Sequence, residues 1–290
     1  MRVLVTGSNG QVGSLLKQML TNKVDLLALT RQELDITNET SVNKTVNTFK
    51  PNIIINAAAY TAVDKAENEK KQAFVINSDG AEYLAKAANK ADATLIHIST
   101  DYVFEGNKAG FYSEDDPVNP QGIYGESKLA GEVAVQQYCK KHIILRTAWV
   151  FGEHGNNFVK TMLKLGKERD ALSIVSDQFG GPTYAGDISK AIINIVNKIG
   201  KTENINWGIY HYSGSPCVSW FEFAQNIFAK AKDTGILENI PKLTAIPTSE
   251  FPTPAKRPAN SKLNCDAIKN EFNILPSNWQ AELKNLKIYV

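Results

Sequence analysis

Tyr124-Gly125-Glu126-Ser127-Lys128 sets a phenol and an ammonium four residues apart, on one face of any helix that begins there. A phenol with a pKa near 10 is a poor acid at neutral pH. A neighbouring ammonium stabilises the phenolate and lowers that pKa, so the proton can move near pH 7. Upstream, Ser99-Thr100-Asp101-Tyr102 follows an apolar run at 95–98, where a hydroxyl would reach the mouth of a site. Such a set suits proton donation to an oxygen that is gaining negative charge. The spacing alone is common, and an exposed Tyr/Lys pair is the plain alternative.

A second group could hold a nucleotide. In Thr6-Gly7-Ser8-Asn9-Gly10-Gln11-Val12-Gly13 the glycines follow an apolar run and open a helical pattern. Gly7 permits a tight turn, Gly10 lets backbone approach a pyrophosphate, and Gly13 lets helix and strand pack closely. The helix start offers free N–H groups and partial positive charge to phosphates. A tight turn without a ligand is the competing reading, and the position at the first strand of a series favours the dinucleotide. An NAD site usually carries an acid at the end of the second strand. Here that place holds Thr30-Arg31. Arg31 suits a 2′-phosphate, which favours NADPH, while Glu33 and Asp35 leave NADH open.

These residues need a frame. Val3-Leu4-Val5, Leu26-Leu27-Ala28-Leu29, Ile53-Ile54-Ile55, Leu95-Ile96-His97-Ile98 and Ile143-Ile144-Leu145 read as strands buried on both faces of a parallel sheet. Helical patterns lie between them: Val12, Leu15, Leu16, Met19 and Leu20; Val42, Val46 and Phe49; and an alanine-rich stretch over 72–91. Repeated βα units predict a Rossmann-like, doubly wound α/β fold. The texture changes after about residue 200. Five of the eleven prolines fall in 241–258, which predicts an extended loop there. Helical patterns at Phe221-Ala224-Ile227-Phe228 and around Trp279, Leu283 and Leu286 flank it. The expected division is a dinucleotide-binding core over 1–150, joined by 180–200, and a small α/β substrate lobe over 151–290.

Composition narrows the classes. The 290 residues are 43% hydrophobic and 21% charged, with a net charge of +2, which argues against a nucleic-acid or membrane-surface protein. No apolar run approaches the roughly 18 residues of a membrane span. The opening residues lead directly into the glycine turn, so no signal peptide is expected. Cys139, Cys217 and Cys265 are odd in number and widely spaced, which predicts incidental thiols in a cytoplasmic protein. His97, His142, His154 and His211 are isolated, and the chain shows no metal-ligand spacing.

Taken together these strings resemble the extended short-chain dehydrogenase/reductases, and among them the dTDP-4-dehydrorhamnose reductases, which complete dTDP-L-rhamnose synthesis for surface polysaccharide. The resemblance runs nearly end to end. Beyond the glycine turn it includes Asn56-Ala57-Ala58-Ala59-Tyr60-Thr61-Ala62-Val63-Asp64, Ser99-Thr100-Asp101-Tyr102-Val103-Phe104 and Arg146-Thr147-Ala148-Trp149. It also includes Gly155-Asn156-Asn157-Phe158, Asp177-Gln178-Phe179-Gly180-Gly181-Pro182-Thr183 and Arg257-Pro258-Ala259-Asn260-Ser261. Thr30-Arg31 departs from members that carry an acid there. The resemblance implies reduction of a nucleotide-linked 4-keto sugar by NAD(P)H, with Tyr124 as proton donor. Lys128 would hold the nicotinamide ribose and Thr100 would hydrogen-bond the keto oxygen. It further implies cofactor contacts from Gln11, Val12, Asp35, Ile36, Ala59, Tyr60 and Thr61, and sugar contacts from Thr100, Asp101, Tyr124, Trp149 and Asn157. Arg257 would pair with the dTDP pyrophosphate. Family members are described as using Mg²⁺, whose ligands the sequence does not locate, and a homodimer is left open.

Other functions in the superfamily leave different marks. Dehydratases follow Thr-Asp with a glutamate, where this chain has Tyr102. Epimerases usually carry another string at this strand end. A regulatory subunit of methionine adenosyltransferase resembles the family without catalysing its reaction, but Thr100, Tyr124 and Lys128 are all intact here.

Overall fold

The computed structural model describes residues 1–202 and 204–289. Strands form where the apolar runs predict them: β1 (Arg2–Thr6), β2 (Asp25–Leu29), β3 (Ile53–Asn56), β4 (Thr94–Thr100) and β5 (His142–Thr147). A sixth, β6 (Gly208–His211), completes a sheet of order β6-β5-β4-β3-β1-β2 in which every pair is parallel. Alternation along each strand loads both faces. Val3, Val5, Ile55, Ile96 and Leu145 join one core, and Leu4, Ile54, Leu95 and Ile144 the other. Each fully buried Ile or Leu stabilises the fold by roughly 1.5–3 kcal/mol. That is why apolar runs of three to five residues suffice to mark the strands.

One face is covered by α1 (Gln11–Leu20), the other by α2 (Glu39–Phe49), α3 (Gly80–Lys90) and α4 (Ile123–Tyr138). Asn38 caps α2 by accepting from Ser41 N at 2.9 Å. The start of α1 has Gly10 in the cap position, no side-chain cap and no acid in its first turn, so its N–H groups stay free for an anion. The alanine-rich stretch is not one regular helix. Lys70–Phe74 is α-helical, Val75–Asp79 makes a π-turn, and α3 then resumes. The buried Asn77 sits in that turn and bonds out of the helix, to Tyr60 and Ser127.

Beyond β5 come α5 (Phe158–Glu168), α6 (Ala185–Ile199), α7 (Trp220–Asp233) and α8 (Asp266–Phe272). The expected return to the core over 180–200 runs further. β6 pairs with β5 and closes the sheet edge, and Ile268 and Phe272 of α8 pack beside Ile188 and Ile192 of α6. The other lobe gathers around Val159, Leu163, Phe223, Ile227, Phe228, Trp279 and Leu286. A capping box between Ser219 and Glu222 starts α7. Within the proline-rich stretch, Lys242–Ile246 is a strand pairing with Ala171–Val175. The prolines that follow carry the chain, through one 3₁₀ turn at Thr248–Glu250, to Asn260–Ser261. Among the described residues no helix is long and apolar enough to cross a membrane.

Strand order reverses between β1 and β3, because the chain passes from β1 out to β2 and returns on the other side. The loops after β1 and β3 therefore border a crevice at the carboxyl ends of the strands, where ligands of such sheets bind.

Candidate active site

The glycine turn is built for close approach. Gly7 has φ +68°, and a Cβ there would meet the backbone of Ala58 at 2.6 Å. A Cβ on Gly13 would fall 2.1 Å from Gly7 O, so that helix and turn pack without side chains. Gly7, Gly10, Arg31, Asp35, Ile36, Ala58 and Ala59 line one cleft of about 270 Å³. Glu33 is not part of it, since its carboxylate accepts from Thr30 N and Oγ1 at 2.8 and 2.9 Å. Asp35 accepts from Thr37 N and Oγ1, and these bonds with the charge of Arg31 outweigh burial and hold its pKa below the usual value. A larger cleft, about 840 Å³, opens among Arg2, Asn52, Thr94 and Lys141, at the amino ends of the strands and away from every motif.

Tyr124 and Lys128 lie in the first two turns of α4, as their spacing predicts. Thr100 ends β4, and its hydroxyl faces the Tyr124 phenol. Burial raises the phenol pKa, opposed by the Thr100 hydroxyl. Lys128, only 2% exposed, does not turn to the phenol in this structure. Its Nζ donates to Ile98 O at 2.7 Å and lies 3.4 Å from His97 Nε2. Burial pushes its pKa down to about 8, opposed by Glu132. Glu132 is held by Arg146 of β5 at 2.6 Å, with both side chains buried.

Behind Lys128 a row of side chains crosses the sheet. Thr6, Asn56 and His97 are register partners on β1, β3 and β4. Thr6 Oγ1 donates to Asn56 Oδ1 at 2.7 Å, and Asn56 Nδ2 lies 3.0 Å from His97 Nδ1. A second brace reaches α4 from the π-turn. Asn77 takes both backbone groups of Tyr60 and donates to Ser127 Oγ at 3.0 Å, which in turn donates to Tyr124 O. None of Asn56, Asn77, His97 and Ser127 was marked by sequence as a site residue. Their signal is strand register, which one sequence does not display.

On the opposite side stand the lobe residues. Asp101 accepts from Thr100 and Ser261, and burial pushes its pKa up to about 6 against both bonds. Arg257 pairs with Asp64 at 2.6 Å and donates to Tyr102 Oη at 3.0 Å, and the Tyr102 ring meets Tyr124 edge-on at 5.4 Å. Trp149 stacks on Trp220 at 3.5 Å and takes φ +50°, a left-handed backbone that is costly for a bulky residue. Asn157 makes three hydrogen bonds within the protein. It caps α5 at Lys160 N and donates to Gly152 O and Gln11 Oε1, which ties the lobe to the first turn of α1. Thr61 is exposed on the loop after β3. Among the described residues no group of three or more His, Cys, Asp or Glu could hold a metal ion.

Residues 1–288 match the family described as RmlD substrate binding domain. A dTDP-4-dehydrorhamnose reductase of Aggregatibacter actinomycetemcomitans is 51% identical, and the match covers 99% of each chain. The crystal structure of a dTDP-4-dehydrorhamnose reductase from Clostridium acetobutylicum is 41% identical and superposes with a TM-score of 0.91 over 98% of this chain and 97% of that one. One from Bacillus anthracis, solved in complex with NADP, is 41% identical, with a TM-score of 0.90 over 100% and 99%.

Proposed function

The chain belongs to the RmlD substrate-binding-domain family, that of the dTDP-4-dehydrorhamnose reductases, and we propose that it reduces dTDP-4-dehydro-L-rhamnose to dTDP-L-rhamnose with NADPH. The observation that carries this reading is the convergence of three parts at one end of the sheet. The glycine cleft lies where the strand order reverses, and the Thr100/Tyr124 pair with the Arg257 loop stands at the carboxyl end of β4, on the same end of the sheet.

The residues present fit a dinucleotide. Gly7 and Gly13 leave a backbone cradle, and the uncapped start of α1 offers N–H groups to a pyrophosphate held by Gly10, Gln11 and Val12. Asp35, Ile36 and Ala59 flank the cleft, with Tyr60 and Thr61 beyond it, and Arg31 on its rim suits a 2′-phosphate. The NADP complex of the Bacillus anthracis relative supports this choice. When bound, the reduced dinucleotide supplies hydride to the 4-keto carbon.

The protein's own residues handle the oxygen. Thr100 hydrogen-bonds the carbonyl and Tyr124 donates its proton as the alkoxide forms, a contribution of roughly 10²–10⁴-fold. Burial favours the neutral phenol, so Tyr124 enters the reaction with its proton in place. Lys128 binds the nicotinamide ribose. Asp101 and Trp149 border the sugar. Arg257 exchanges its half-buried partner Asp64 for the pyrophosphate, because a solvent-accessible ion pair is worth only about 0–1 kcal/mol and a bidentate pair to phosphate considerably more.

The test is NADPH oxidation by the purified protein. Turnover that requires dTDP-4-dehydro-L-rhamnose is expected. Turnover with simple ketones or aldehydes, and none with the sugar nucleotide, would overturn the assignment.

A further inference from the structure

The row of buried polar side chains behind Lys128 has a fixed direction. Asn56 Oδ1 receives two hydrogen bonds, from Thr6 Oγ1 at 2.7 Å and from the backbone N–H of Ala58 at 3.2 Å. A backbone N–H can only donate, so the carbonyl end of the Asn56 amide must face it. The NH₂ end then faces His97 Nδ1 at 3.0 Å, and Nδ1 must accept. His97 is 1% exposed, and burial and the nearby Lys128 both disfavour its charged form. The ring is therefore neutral with its single proton on Nε2, and that N–H points at Lys128 Nζ, 3.4 Å away.

This contact treats the two forms of Lys128 differently. An ammonium has no lone pair, so it meets the Nε2–H as donor against donor. A neutral amine has a lone pair and accepts that hydrogen bond. The remaining partner of Nζ, Ile98 O at 2.7 Å, accepts from either form. Resting on the reading of Lys128 as part of the reducing site, we propose that His97 is a positioning residue. Locked as its Nε2–H tautomer by Asn56 and Thr6, it orients Lys128 and sets the pH at which the lysine ceases to be an ammonium.

The other groups around Lys128 do not supply this control. Glu132, one turn further along α4, favours the ammonium, but Arg146 of β5 engages its carboxylate through three hydrogen bonds. Tyr124, on the same helix, is neutral. Asp101, beyond the end of β4, is held by Thr100 and Ser261. The π-turn contributes Asn77, which donates to Ser127 of α4, and both are uncharged. His97 is the group whose proton position decides which form of the amine is matched. Because Thr6 immediately precedes the glycine turn, the same row joins the dinucleotide loop to the lysine.

The experiment reads both ends of the contact without turnover, so it stands apart from the substrate assignment. In ¹⁵N-histidine-labelled wild type, His97 should show a protonated Nε2 and a bare Nδ1 across the stable pH range. In ¹³C-lysine-labelled protein, the Lys128 signal is the one missing from Lys128→Met. His97→Gln can turn a carbonyl toward Nζ and should move the Lys128 titration up by about one pH unit. The alkaline limb of kcat/KM for NADPH oxidation should follow it. His97→Leu removes the donor without offering an acceptor, so its lysine should titrate above the wild-type position by clearly less than in His97→Gln. A protonated Nδ1 in wild type would overturn the proposal. So would a Lys128 titration unmoved in His97→Gln, or one raised equally in both variants, which is the mark of a loosened core.

Discussion

On the sheet side of the site, Thr6, Asn56, His97 and Lys128 are each at most 2% exposed, and strand register sets the order of the first three. On the lobe side, Arg257 and Asp64 are 23% and 41% exposed and meet across nearly two hundred residues of chain. The first set cannot move without breaking the sheet or leaving a buried polar group unpaired, at about 1–3 kcal/mol each. The second set can exchange partners at little cost. On the proposed reading, the chemistry is held in the rigid place and recognition of the sugar nucleotide falls to the pair that can exchange partners.

Lys128→Met tests the rigid side with the largest effect. On the proposed reading it removes both the ammonium and a ribose contact, so kcat should fall by at least the roughly 10²–10⁴-fold of a general-acid step. Dinucleotide binding, followed by fluorescence, should weaken with it. Unchanged binding would confine the lysine to a structural role.

Asp101 sits where the two sides meet, taking a hydrogen bond from Ser261 of the lobe. Its carboxyl holds a proton up to about pH 6 in the fold, against an ordinary value of 3.8. Between those values the unfolded chain binds fewer protons than the native one, so stability from this group is full below about pH 4 and is lost as pH rises through 6. Asp101→Asn removes that dependence. Its stability relative to wild type, from urea unfolding, should gain about 3 kcal/mol between pH 4 and pH 7. A difference independent of pH would show the carboxyl ionises freely.

The adaptable side predicts a different signature. Arg257→Ala should raise KM for the sugar nucleotide about 10–100-fold, corresponding to about 1.5–3 kcal/mol for a charged hydrogen-bonding pair, and leave kcat within a few-fold. A loss confined to kcat would place Arg257 with the chemistry instead. The smallest effect concerns the cofactor. Arg31→Asp should shift the ratio of kcat/KM for NADPH over NADH about tenfold toward NADH, as expected of one charge-assisted contact. An unchanged ratio would mean that Arg31 points away from the 2′-phosphate.

The same contrast explains what was legible in the chain. The five apolar strands, the glycine turn and the Tyr124/Lys128 pair are local patterns, and local sequence displays them. β6 was missed because Gly208-Ile209-Tyr210-His211 is short and mixed, and becomes a strand only by pairing with β5. The π-turn at Val75–Asp79 hides inside an alanine-rich helical pattern because its cause, the bonds of Asn77 to Tyr60 and Ser127, lies in other segments. His97 looked like an isolated histidine because Asn56 stands 41 positions away and meets it only through β3–β4 register. Asn157, expected as a sugar contact, also caps α5 and ties Gln11 to the lobe, a role that spacing does not display. Asparagine serves both roles, and spacing alone does not separate them.

The most direct measurement is the single-turnover rate of Tyr124→Phe with saturating NADPH and dTDP-4-dehydro-L-rhamnose. The substitution keeps the ring and its packing against Tyr102 and removes the hydroxyl with its proton. The rate should fall roughly 10²–10⁴-fold while NADPH affinity and folding stay at wild-type values. A rate within threefold of wild type would show that another group supplies the proton and would contradict the account.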